Sequence, residues 1–149
     1  MNETIMIISA FPCTGKTWVV ENASKEGWKA VDSDSSLFSW ESKGVRHRDW
    51  PSNYMEHIRQ KVASYNLVLV SSHAEVRKAL GAHGLRFLLA YPRYDLMDEY
   101  QNRAAERGSP GAFVSMIGDN WDTWQDELNA QTGCDKIILG PGEYLADVL

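Results

Sequence analysis

The sequence is short of several things, and each shortage removes a class of protein. It has only two cysteines, Cys13 and Cys134, far apart and in no C-x-x-C or Cys/His ligand spacing, so neither a disulfide framework nor a zinc site is expected and a reducing cytoplasm is the natural setting. No run approaches the roughly 20 consecutive apolar residues of a membrane span, and the N-terminus lacks the basic start and apolar stretch of a signal peptide, so no membrane partner is expected. Positive charge is in deficit: 15 Lys and Arg stand against 20 Asp and Glu, for a formal net charge of -5 and a pI near 5.3. A broad nucleic-acid footprint normally shows as a basic face, so nucleic acid is allowed as a partner but not favoured. Repeats, low-complexity tracts and linkers are missing too. With 149 residues the chain can bury one core but not two, and a single domain over 1–149 is expected.

What is present is ordinary for a folding chain, 44% hydrophobic and 23% charged. The tryptophans, Trp18, Trp28, Trp40, Trp50, Trp121 and Trp124, lie outside the apolar runs, and most are expected to be packing residues. Thr4 to Phe11 reads as a strand buried on both faces, followed by a helix from about Lys16 to Lys25. Trp28 to Val31 reads as a second strand running into Asp32-Ser33-Asp34. The pattern from Leu37 to Asp49 is irregular; Pro51 then opens a helix with Tyr54, Ile58, Val62 and Tyr65 on one stripe. Leu67 to Val70, Leu85 to Ala90 and Lys136 to Leu139 read as further strands. Helices are expected to His83, from Asp95 to Arg107, from Phe113 to Asn129 and from Gly142 onward. Such alternation implies an α/β fold in three layers, a parallel sheet of about five strands flanked by helices, with ligands at the strands' carboxyl ends.

Between the first strand and the first helix stands Ala10-Phe11-Pro12-Cys13-Thr14-Gly15-Lys16-Thr17. All but the first glycine of the P-loop pattern G-x-x-x-x-G-K-[ST] are matched. In that motif backbone N–H groups cradle phosphates, the lysine bridges the outer ones and the hydroxyl holds magnesium. Pro12, Cys13, Thr14, Gly15, Lys16 and Thr17 are therefore the expected ATP-binding residues, with Lys16 also catalytic. Ala10 restricts the opening bend if its φ has to be positive. After one helix and one strand, Asp32 and Asp34 point the same way along an extended segment. One carboxylate can enter the magnesium shell and the other can orient an attacking hydroxyl. Asp32, with Thr17, is the expected metal residue; Asp34 is the expected catalytic and acceptor-binding one.

This loop followed by D-x-D resembles the P-loop kinase group that contains shikimate kinase, gluconate kinase and the nucleoside monophosphate kinases, and Phe11-Pro12 resembles the loop of phage polynucleotide kinase. The resemblance implies a P-loop kinase fold and an acceptor contact at Asp34. It also implies an arginine-bearing lid at about 100–120, where Arg103 and Arg107 share a helix face before the hinge-like Gly108-Ser109-Pro110-Gly111 and would stabilise the transferring group. An acceptor-binding insert at about 35–55 would use Trp40, Arg46, Arg48 and Tyr54, aromatics and cations suited to a base and a phosphate. Gly140 and Pro141 would let adenine approach the backbone. The expected function is thus an ATP- and Mg2+-dependent, cytoplasmic phosphotransferase with a small-molecule acceptor, a nucleotide or nucleoside. The alternatives are a DNA or RNA hydroxyl kinase, a small-metabolite kinase, and a P-loop module that binds nucleotide without transfer.

Overall fold

A computed structural model describes residues 6–33, 38, 40–42 and 45–149 of the chain. Asp34, the expected catalytic acid, lies outside the described residues. The strands of the main sheet are β1 (Met6–Ala10), β2 (Ala30–Asp32), β5 (Leu67–Ser71), β6 (Leu88–Pro92) and β7 (Asp135–Leu139). They pair in the order β2-β5-β1-β6-β7, and every pairing is parallel. Helices α1 (Lys16–Asn22), α2 (Ser52–Val62), α3 (Ala74–Ala82), α4 (Met97–Glu106), α5 (Gly111–Ala130) and α6 (Leu145–Val148) connect and cover them.

Strand alternation divides the core into two faces. Ile7, Val68, Val70, Leu89 and Tyr91 point to one side, where Tyr54, Met55 and Ile58 of α2, Val76 and Leu80 of α3, and Ile117 and Trp121 of α5 bury them. Ile8, Ala10, Leu67, Leu69 and Ala90 point to the other, against Val19 of α1 and Leu145 of α6. A strand covered on both faces needs no polar positions, which is why β1 and β5 read as continuous apolar runs. Ser9 is the exception, fully buried, and its hydroxyl donates to the Ser71 carbonyl at 2.7 Å. The order places β1 beside β5, with the connections leaving β1 and β5 toward opposite ends of the sheet. Open parallel sheets bind ligands at the carboxyl edge where the order reverses.

Several boundaries differ from the sequence reading. The first helix ends at Asn22 and continues as a 3-10 turn over Ala23–Glu26; β2 begins at Ala30, and β6 runs Leu88–Pro92 instead of starting at Leu85. The irregular segment contains a short antiparallel hairpin, β3 (Trp40–Ser42) with β4 (Val45–Arg46). It has too few residues to show a period. Trp18, Trp28 and Trp40 are 57%, 40% and 45% exposed, so the expectation that most tryptophans pack in the core is corrected to half of them. Leu69 sits centrally in β5 with no exposure, and Leu69→Ala should cost about 2–5 kcal/mol, measured as a lower midpoint in urea with an unchanged slope.

Candidate active site

The loop after β1 turns through two left-handed residues, Cys13 at φ 67° and Gly15 at φ 91°. Ala10 is not one of them: it stays in strand β1, fully buried, opposite Ser71 and Ala90. The missing first glycine therefore imposes no strain here. Alternating handedness turns successive N–H groups inward and makes a concave anion cradle. The Thr14 hydroxyl donates to the Phe11 carbonyl at 2.8 Å, and the Leu145 amide of α6 donates to the Thr14 carbonyl at 2.9 Å. A Cβ at Gly15 would come within 3.1 Å of the Tyr144 ring, a second reason for glycine there. Lys16 opens α1, half-buried, and Thr17 beside it is exposed; Pro12 is half-buried.

Neighbouring helices hold the loop. Phe11 is 1% exposed and meets Tyr100, Trp121 and Trp124 edge-to-face, with ring centroids 5.6–5.8 Å away. Arg103, on α4 as expected, is buried: its guanidinium donates to the Cys13 carbonyl (3.0 Å), the Glu143 carbonyl (2.8 Å) and the Glu99 carboxylate (2.8 Å) and stacks on the Tyr144 ring at 3.9 Å. It braces the phosphate loop from behind, with three of its donors bonded to protein. Arg107 is exposed, bonded to the Ser109 hydroxyl at 2.9 Å and lying over the Phe113 ring. Burial pushes the Cys13 thiol up, and Arg107, Arg103 and Lys16 pull it back only in part. That places three cationic side chains around one loop residue.

Asp32 ends β2, exposed, paired across the sheet with Leu69. Ser33 follows at 4% exposure; its amide donates to the Leu69 carbonyl at 2.8 Å, its hydroxyl meets His57 Nε2 at 3.2 Å, and its carbonyl accepts from the Tyr54 hydroxyl. Burial, then Lys61, holds His57 below the usual imidazole range, so the ring is neutral at pH 7.

The residues expected to bind the acceptor are brought together, but mostly with one another. The Arg46 guanidinium lies 4.4 Å from the Trp40 ring and 5.6 Å from the Trp50 ring, and pairs with Glu75 at 3.2 Å. Arg48 is exposed in the turn before Trp50. Tyr54 is fully buried, stacked on Trp50 and bonded to Ser33, so it supports the β2 end from inside. The loop after β7 is likewise engaged: the Gly140 amide donates to Glu143 Oε1 at 2.6 Å, and the Gly142 amide donates to Glu99 at 3.0 Å. Pro141 is exposed beside them. Two openings flank the phosphate loop instead. One, about 320 Å³, is lined by Gly15, Trp18, Tyr144, Ala146 and Asp147. The other, about 130 Å³, lies between Phe11, Pro12, Ser72, His73, Arg77 and Trp124.

No protein-family model matches the chain, and no curated protein matches it in sequence. Among solved structures, a gluconokinase from Sinorhizobium meliloti 1021 is similar over 98% of this chain and 87% of its own, at 16% identity and a TM-score of 0.54. The fold is a P-loop kinase fold. An uncharacterized protein from Eubacterium ventriosum ATCC 27560 is 15% identical, at a TM-score of 0.48 over 95% of this chain and 92% of its own. The expectation of a nucleotide or nucleoside acceptor is corrected by the first of these, since a gluconokinase is named for a sugar acid. The structure gives the physical reason, because the aromatics and the arginine meant to stack a base and hold its phosphate are occupied by each other. Among the described residues, no helix is long and apolar enough to cross a membrane, and no cluster of three or more His, Cys, Asp or Glu could hold a metal on its own.

Sequence reasoning missed Ser33 and His57, whose partners are remote in the chain, the bond from the Gly142 amide to Glu99, and Trp18 and Tyr144. An aromatic immediately after Gly-Lys-Thr was the available signal for Trp18. Because Arg103 is held by three acceptors, Arg103→Ala should lower stability by roughly 2–3 kcal/mol, read as a fall in thermal midpoint.

Proposed function

We propose that this chain is an ATP-dependent, magnesium-requiring phosphotransferase acting on a small polyhydroxy acid. One observation carries the reading: a buried loop with left-handed Cys13 and Gly15, leading into Lys16, at the carboxyl edge of a parallel sheet whose order reverses there. Such a loop fits three things a triphosphate needs: inward N–H groups, a following lysine and an exposed hydroxyl at Thr17. Magnesium held there by Thr17 and Asp32 would supply charge neutralisation during phosphoryl transfer. Magnesium is held in such sites by one or two carboxylates together with the phosphates, so Thr17 and Asp32 suffice without an all-protein cluster.

In this reading Lys16 binds the outer phosphates and Asp34 orients the acceptor hydroxyl and takes its proton. Of the expected lid, residues 107–110, beyond the anchored Arg103, are the part that moves. Arg107, exposed before Gly108, is the lid arginine that closes on the transferring group, while Arg103 positions the loop through the Cys13 carbonyl. The opening of about 320 Å³ takes the donor's nucleoside, with Trp18 and Tyr144, 57% and 43% exposed, offering ring faces next to Gly15. The opening of about 130 Å³ takes the acceptor. It is smaller than the 300–1,000 Å³ of drug-sized sites, and it suits a compact acid better than a nucleotide. Chemistry of this kind belongs in the cytoplasm, where ATP is held.

The test is incubation of the full chain with γ-labelled ATP, Mg2+ and a panel of sugar acids, hydroxy acids and neutral sugars. Label should move to one of the acids, and Asp34→Asn should reduce that transfer by about 10²-fold or more. Label released to water alone, or undiminished transfer in Asp34→Asn, would remove the catalytic assignment. A second measurement reads the donor site directly. ATP with Mg2+ should quench part of the tryptophan emission, and that part should vanish in Trp18→Phe while Lys16→Met loses binding itself. Quenching that survives in Trp18→Phe would place the base elsewhere.

A further inference from the structure

We propose that α2 is the positioning element for the acid pair, with His57 and Tyr54 clamping Ser33, the residue between Asp32 and Asp34; this rests on the phosphotransferase reading above. Ser33 is fixed at three points. Its N–H, part of the peptide plane joining it to Asp32, donates to the Leu69 carbonyl at 2.8 Å, which ties that plane to β5. Its carbonyl, part of the plane joining it to Asp34, accepts from the Tyr54 hydroxyl. Its own hydroxyl meets His57 Nε2 at 3.2 Å.

Because a peptide unit is planar, an anchor on the Ser33 carbonyl oxygen fixes the plane of the peptide that follows Ser33. Asp32 is exposed while Ser33 beside it is buried, so a clamp on Ser33 acts from the side away from the Asp32 carboxylate and touches neither metal nor acceptor. The clamp is itself rigid. Tyr54 has no exposure and stacks on Trp50 at 5.7 Å, while the rings of Tyr54, Phe38 and His57 form a mutual cluster with centroids 4.4–6.2 Å apart. Asn53 completes the support by donating to the Phe38 carbonyl at 2.7 Å. The insert's aromatics thus acquire a use: they stiffen the helix face that aims the acids. Displacing a reacting group by about 1 Å can cost 10²-fold in rate, so anchors this far from substrate can matter as much as direct contacts.

The experiment compares the full-length chain with Tyr54→Phe, His57→Ala and His57→Gln. Turnover is followed with the sugar acid identified by the labelling panel, Mn2+ affinity of the ATP complex by electron spin resonance, and folding by thermal melting. Tyr54→Phe and His57→Ala should each lower kcat about 10-fold or more, leave KM for ATP within about twofold, and weaken Mn2+ binding. His57→Gln, whose amide can still bond the Ser33 hydroxyl, should recover most of kcat. The clamp is overturned if kcat and Mn2+ affinity are unchanged in both deletions, if kcat falls only with the folded fraction, or if His57→Gln is as impaired as His57→Ala. A parent protein that binds Mn2+ with ATP yet phosphorylates no acid removes the transfer reading, and Mn2+ affinity then decides: weakening in Tyr54→Phe supports the clamp and no change overturns it. No binding of Mn2+ with ATP by the parent overturns both.

Discussion

A loop that turns through left-handed backbone at a residue with a side chain persists only if its surroundings over-determine it, and here the residue is Cys13. Its conformation costs about 1–2 kcal/mol. Against that stand an arginine bond to its carbonyl, the Thr14 hydroxyl on Phe11, the Leu145 amide on Thr14 and three edge-to-face rings around Phe11. Aromatic pairs contribute about 0.5–1.5 kcal/mol each beyond burial, and a bond from a charged donor about 1.5–3, so the surroundings outweigh the strain. The partners come from α4, α5 and α6, all late in the chain. The phosphate loop is therefore finished only when the C-terminal half has packed.

This dependence separates the two arginines of α4. Arg103 cannot leave the loop without stranding a buried guanidinium's acceptors, among them Glu99, which also receives the Gly142 amide. Arg107, four residues on, has a serine hydroxyl and a ring face as partners and lies at the end of the helix. Motion in this segment is thus confined to the residues beyond Arg103. In the proposed reading, a lid hinged near Gly108 with a fixed anchor one helical turn earlier would combine rigid phosphate binding with a movable cation on a single helix.

The legible parts of this protein were those set by local chemistry. Continuous apolar runs gave β5 and β7 to within one residue and located β1, and Pro51 gave the start of α2. Gly-Lys-Thr after a strand located the phosphate loop, because the requirement for positive φ and inward amides is itself local. What escaped was set by pairing across the chain. Ser33 and His57 are 24 residues apart, Arg103 and Cys13 are 90 apart, and neither sequence neighbourhood announces its partner. Composition misled at the insert for the same reason: aromatics beside arginines suit a nucleotide, but they equally suit each other, and Arg46 between Trp40 and Trp50 shows the second outcome.

The charge around the site bears on the acceptor as well. A net charge of -5 repels an anionic acceptor at long range, so whatever binds has to be drawn in by local cations. Lys16, Arg103 and Arg107 crowd the phosphate loop closely enough to act on Cys13, while Arg77 lines the smaller opening with its guanidinium tied to Ser72 and Gln131 and set 3.7 Å from Glu127. In the proposed reading a triphosphate meets Lys16 and Arg107, while Arg103 stays on the loop. The smaller opening has one buried cation, Arg77, already facing the half-exposed carboxylate of Glu127, which in the proposed reading suits a singly charged acid better than a phosphate dianion. On that reading the small opening and its single cation both suit a compact hydroxy acid better than a nucleotide.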